Sequence, residues 1–198
     1  QLLDILESTG LADDTLVIVS ADNGAAGREY PPLRDDKGSI YEGGHREPFL
    51  AKWPGRINPG STSDQIISIT DIFATCAEIT GVPLPDNAGE DSVSFLNCLL
   101  GKQVGPFREA SVQQSGKKAL AIRKDKWKLI VHGDNKRELF DLNLDLGETN
   151  NIIRTHPQVA VELSSLLQSY LDRGRSTPGK AQPLEYKISL DEIRFKKK

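Results

Sequence analysis

The 198 residues suffice for one large domain or two small ones, and a hydrophobic fraction of 37% is enough for a core. With 25 Lys and Arg against 28 Asp and Glu the formal charge is −3, so no global field draws the chain to nucleic acid or an anionic membrane. No stretch approaches the roughly 20 apolar residues of a membrane helix, and no signal-peptide pattern opens the chain. The chain begins with Gln and contains no Met, so it is expected to be a piece of a longer protein. The terminal RFKKK is the one basic run and reads as a solvated tail. Cys76 and Cys98 are too far apart for a Cys-x-x-Cys pair, and no histidine stands at zinc spacing from them.

In chain order, LLDILESTG reads as an amphipathic helix ending at Gly10, and TLVIVS (15–20) as a short strand buried on both faces. A helix, a turn, a buried strand and a polar loop form the rhythm of an α/β protein with a largely parallel sheet, whose ligands gather at strand carboxyl ends. A second apolar run, PFLAKW (48–53), stops at Pro54-Gly55. Ser68-Ile69-Thr70-Asp71 offers a capping box for a helix with Ile72, Phe73, Cys76 and Ile79 on its apolar side, ended by Gly81; Cys76 is expected to be a buried thiol there. Residues 83–107 read as a connection containing a short helical piece, SFLNCLL. The segments EASVQQS, ALAIRKD, KWKLIVH and RELFDL then predict an antiparallel meander with one face to cover. Thr155-His156-Pro157-Gln158 reads as a capping box for a helix with Val159, Leu163, Leu166, Leu167, Tyr170 and Leu171 at helical spacing, stopped by Gly174 and followed by an extended tail. The predicted fold class is α/β, a mixed sheet with helices over residues 1–105, followed by a small α+β unit over 106–198 in which an antiparallel sheet packs on the C-terminal helix.

The stretch SADNGAAGREYPPLRDDKGSIYEGGHREPF (20–49) crowds carboxylate, amide, ammonium and guanidinium groups after the first strand. Asp22 and Asn23 present adjacent oxygens of the kind that calcium and magnesium take, although calcium needs six to eight; turn capping is the other use of such a pair. Lys37, beside Gly38, is either an ammonium placed on a tetrahedral oxyanion or a solvated loop lysine. In Tyr41-Glu42-Gly43-Gly44-His45-Arg46 the guanidinium can meet an anion or tie the loop to Glu42 or Glu47. His45 reads as structural or exposed rather than as a proton carrier.

In order and spacing, VIVSADNG, KGSIYEGGHREPFLAKWPG, TDIFATCAEITGVPLP, GEDSVSFLNCLLGK, KDKWKLI, RELFDLNLDLGETNNI and RSTPG resemble the second half of the sulfatase family. These are type I, formylglycine-using enzymes of the alkaline phosphatase superfamily. The resemblance covers most of the chain and implies a mixed sheet between helices with a smaller C-terminal sheet and helix. It implies that Asp22 and Asn23 are calcium ligands (magnesium possible), that Lys37 contacts the sulfate, and that Arg46 lies in a supporting turn. The implied substrate is a sulfated small molecule or sulfated sugar, and the implied setting periplasmic, extracellular or lysosomal.

The family's nucleophile is made from Cys or Ser in a Cys/Ser-x-Pro-x-Arg motif, which this sequence lacks. Neither CAEIT nor CLLGK fits, and in STPGK (176–180) Lys180 stands where Arg is required. The nucleophile and the remaining metal ligands are therefore expected in an N-terminal portion of the same protein, and this chain alone is expected to be inactive. Two alternatives stand beside the sulfatase reading: a phosphodiesterase or phosphonate hydrolase of the same superfamily, and a stand-alone domain without chemistry.

Overall fold

The computed structural model describes residues 1–102, 105–116, 119–134, 136–183, 186–187, 190 and 196–197. The chain opens with helix α1 (Leu2–Ser8), strand β1 (Val17–Ser20), a one-turn helix α2 (Glu42–His45) and strand β2 (Phe49–Lys52). β1 and β2 pair antiparallel, Val17 opposite Lys52 and Ser20 opposite Phe49. This corrects the expectation of a doubly buried strand in a largely parallel sheet: among the described residues the pair stands alone, and Val19 and Leu50 are 59% and 66% exposed. An apolar run marks a preference for burial but does not name the element that covers it. Trp53 anchors the end of the pair by donating Nε1–H to the Asp13 carbonyl at 2.9 Å.

Helix α3 (Asp71–Thr80) begins and ends where the sequence predicts, but it presents another face to the protein. Asp71, Ala74 and Thr75 are buried, whereas Phe73 is 51% exposed and Cys76 is exposed, so the buried-thiol reading of Cys76 is corrected. Polar bonds choose the orientation. The Asp71 carboxylate accepts from Ser68 N at 2.7 Å, Val93 N at 3.0 Å and Arg108 Nη2 at 2.6 Å, and Thr75 Oγ1 accepts from Phe95 N at 3.1 Å. Of the predicted capping box only the reach of Asp71 back to Ser68 exists. The short helix α4 (Leu96–Leu99) follows Phe95, whose buried ring meets Phe49 edge-on at 5.4 Å.

Strands β3 (Ser111–Gln114), β4 (Leu120–Lys124), β5 (Trp127–Val131) and β6 (Arg137–Asp141) form the antiparallel meander in sequence order. Helix α5 (Pro157–Arg173) starts on proline, where a missing N–H costs nothing, and closes on Gly174 in the left-handed conformation at φ 64°. No side chain caps its first turn; the Thr155 hydroxyl donates to the Ile152 carbonyl instead. Leu163, Leu167 and Tyr170 of α5 bury against Leu120, Ile122, Leu129, Val131 and Leu139 of the sheet. Alternation along the strands sends Ala121, Ile130 and Phe140 to the opposite face, where Ile40 and Tyr41 cover them. The meander therefore has two covered faces rather than one. Two short strands, β7 (Tyr186–Lys187) and β8 (Lys196–Lys197), pair in the tail, and the remaining RFKKK residues lie outside the described residues.

Candidate active site

Asp22 and Asn23 follow β1 directly, and Asn23 Nδ2 donates to Asp22 Oδ1 at 2.8 Å. That bond uses the amide nitrogen and one carboxylate oxygen, which leaves the other carboxylate oxygen and the amide oxygen for a further partner. Gly24 fixes the pair in place. Its N–H donates to the Gly44 carbonyl at 3.0 Å, and a Cβ at Gly24 would overlap the Gly43 carbonyl oxygen. A Cβ at Gly43 would strike the Arg34 and Asp35 carbonyls, and one at Gly44 the Ser39 carbonyl. Three glycines thus let three backbone segments touch where any side chain would force them apart.

The loop carrying Lys37 returns to the same place. The Gly27 N–H donates to Asp36 Oδ2 at 2.7 Å, the Ser39 hydroxyl to Asp35 Oδ2 at 2.9 Å, and the Gly43 N–H to the Arg34 carbonyl at 2.9 Å. Lys37 itself is exposed. Glu47 stands beside this assembly. Burial and the neighbouring Asp22 carboxylate push its carboxyl above the usual range, and its Oε1 is buried with no hydrogen-bond partner among the described residues.

Beneath the Gly43-Gly44 turn is a buried charge cluster. Lys128 is fully buried, with its ammonium 3.0 Å from Glu42 Oε1, 2.8 Å from Glu148 Oε1 and 3.1 Å from His45 Nε2. The contacts to Glu42 and His45 are hydrogen bonds and the one to Glu148 is an ion pair, and His45 Nε2 also lies 3.2 Å from the Ile40 carbonyl oxygen, so the imidazole sits between the ammonium and a backbone acceptor. Burial, then the Lys128 charge, lower the His45 pKa to about 4. Burial works against ionised Glu42, yet Lys128, His45 and Arg123 outweigh it and hold the carboxyl below its usual value; for Glu148 burial prevails and pushes the carboxyl up. Glu148 Oε2 also accepts the Glu42 N–H at 2.6 Å, and the Glu148 carbonyl accepts Arg34 Nη1 at 2.7 Å. Arg46 pairs with Glu42 at 3.3 Å, so of its two predicted uses the structure has loop tethering. His45 lies partly buried against Lys128 and the Ile40 carbonyl.

Sequence reasoning missed Lys128, Glu148, Arg123 and Arg34. The available signal was one lysine inside the apolar strand WKLIV, two residues before Ile130, which is fully buried on the same face. RSTPG is a clamp: buried Arg175 donates to the Asp86 and Lys180 carbonyls at 3.0 and 3.1 Å, Ser176 N to Asp91 Oδ1 at 2.8 Å, and Thr177 Oγ1 to the Glu90 carbonyl at 2.6 Å. The Ser176 backbone is thereby held in the clamp.

Residues 34–175 match the family model described as N-sulphoglucosamine sulphohydrolase, C-terminal. The chain belongs to the sulfatase family. It is 34% identical to an N-acetylgalactosamine-6-O-sulfatase of Bacteroides thetaiotaomicron, over 87% of this chain and 39% of that protein. It is 32% identical to human arylsulfatase A, over 86% of this chain and 41% of that protein. A solved Bacteroides thetaiotaomicron structure from work on glycosaminoglycan metabolism superposes with a TM-score of 0.75 at 34% identity, covering 85% of this chain and 41% of that one. The family fold is alkaline-phosphatase-like, and the chain spans about two-fifths of the curated relatives it matches. No helix among the described residues is long and apolar enough to cross a membrane.

Proposed function

We propose that the protein containing this chain hydrolyses a sulfate ester of a sulfated small molecule or sugar. Asp22 and Asn23 supply two oxygen ligands to calcium, or to magnesium, and Lys37 contacts the sulfate. The observation that carries this reading is the Gly24 contact with Gly43 and Gly44, which holds one carboxylate and one amide side by side at the end of β1 in a member of the sulfatase family. The donors suit a hard cation, and the buried, unpartnered oxygen of Glu47 leaves negative charge beside them that a cation would balance. Among the described residues no group of three His, Cys, Asp or Glu is poised for a metal, so most ligands come from elsewhere. When bound, the metal supplies positive charge that stabilises the sulfate oxygens as the ester bond breaks.

This chain's residues then have three roles. Asp22 and Asn23 orient the cation, Lys37 offers an ammonium to a sulfate oxygen in which charge grows, and Gly24, Gly43 and Gly44 hold the loops so that neither group must reorganise. We assign the formylglycine nucleophile and the remaining ligands to an N-terminal portion of the same protein. The two-fifths coverage of relatives and the exposure of Leu2, Ile5, Val19 and Leu50 support that portion packing on α1, β1 and β2. The division near residue 105 then marks where the core gives way to the C-terminal sheet unit, and an exported or lysosomal setting follows the relatives. Sulfate release from a sulfated sugar should be found for the full-length protein and not for the purified 198-residue chain. Turnover by the isolated chain would overturn the assignment of the nucleophile, and no turnover by the complete protein would overturn the function.

A further inference from the structure

The second face of the meander is built around a like-charge pair. Arg123 and Lys128 lie directly opposite each other on β4 and β5, an arrangement that destabilises a sheet unless an anion sits between them. Glu42 is that anion: its Oε1 is 3.0 Å from Lys128 and its Oε2 is 3.5 Å from Arg123. Glu148, delivered by the turn after β6, completes the set by binding Lys128 with one oxygen and the Glu42 backbone N–H with the other.

Because Glu148 grips the Glu42 main chain as well as its charge partner, the contact fixes the backbone of α2 and not only a side chain. The α2 backbone includes Gly43 and Gly44, against which Gly24 is packed, and Gly24 directly follows Asn23. The chain of contacts is therefore short: Lys128 and Glu148 to Glu42, Glu42 to Gly43 and Gly44, these to Gly24, and Gly24 to Asp22 and Asn23. An ammonium held between the Glu42 and Glu148 carboxylates loses charge partners when α2 shifts, which ties the position of α2 to the sheet.

We propose that Lys128 and Glu148 are positioning residues: through Glu42 and the Gly43-Gly44 turn, the C-terminal sheet sets the placement of Asp22 and Asn23. This rests on the reading of those two residues as metal ligands. In the full-length protein, Lys128→Met should weaken calcium binding, followed by terbium luminescence with calcium competition, by about 10–100-fold, the range for groups that orient metal ligands. Amide hydrogen exchange over residues 20–26, measured without calcium, should accelerate in the same variant. Leu167→Ala, which removes a buried contact on the opposite face, should lower thermal stability while leaving both readouts at wild-type values.

Glu148→Gln keeps the shape of the side chain and should shift both readouts in the same direction by less; it serves if Lys128→Met fails to fold. Wild-type calcium affinity and unchanged exchange at 20–26 in a folded Lys128 or Glu148 variant would overturn the proposal. So would an equal loss of affinity in Leu167→Ala. If the wild-type protein binds no calcium, the metal-ligand reading fails by itself, and the exchange measurement still decides whether the sheet positions the loop.

Discussion

The two faces of the β3–β6 sheet are held by different physics. Toward α5 the contact is aliphatic, with Leu129, Val131 and Leu139 against Leu163 and Leu167. Toward α2 an apolar patch of Ile40, Tyr41, Ile130 and Phe140 is bordered by Lys128, Arg123 and Glu138. The aliphatic contacts supply stability through burial of apolar surface, whereas a buried ammonium shared by two carboxylates loses its charge partners on displacement. The face that fixes position is the one adjoining the candidate site.

Substitutions can break this contrast in order of severity. Gly44→Ala should be the most damaging, because its Cβ would overlap the Ser39 backbone; we expect a loss of about 4 kcal/mol or more, read from denaturant unfolding. Lys128→Met leaves two buried carboxylates without their shared cation and should cost about 3–5 kcal/mol. Leu167→Ala should cost about 2–5 kcal/mol, and that loss should be confined to stability.

Acidification probes the charged face selectively. His45 has a folded pKa of about 4 against an ordinary 6.5, so between these values the unfolded chain binds more protons and stability falls as pH is lowered. Glu138, although burial opposes its ionisation, accepts from Tyr41, His132 and Lys136 and is held at about 2; its contribution is present above the ordinary 4.5 and is lost as pH falls from there toward 2. Unfolding measured across pH 4–6.5 should show a slope that His45→Gln reduces. An unchanged slope would remove His45 from the buried cluster. The smallest effect on folding belongs to Lys37→Ala: turnover of the complete enzyme should fall at least about tenfold, while the unfolding midpoint stays put.

The α5 face was readable in the sequence because its information is local. Leu163, Leu167 and Tyr170 recur at helical spacing and the meander alternates between turns, so element type and partner both follow. The α2 face was only half readable. A crowded polar loop after an apolar run drew attention to Asp22, Asn23 and Lys37, but nothing local says that Glu42 meets Lys128, 86 residues away. The same limit explains α3, where Phe73 and Cys76 form the more apolar stripe, yet the bonds of Asp71 and Thr75 to residues 92–95 turn the helix the other way. It also explains β1, whose apolar run predicts a cover that β2 alone does not provide.

The most direct measurement is sulfate release from a sulfated sugar by the full-length protein before chelation, after it, and after calcium is restored, alongside an Asp22→Ala variant. Turnover that disappears on chelation, returns with calcium, and in the variant returns only at much higher calcium is the expected result. Turnover indifferent to chelation, or an Asp22→Ala variant with wild-type calcium dependence, would contradict a site in which this loop holds the metal.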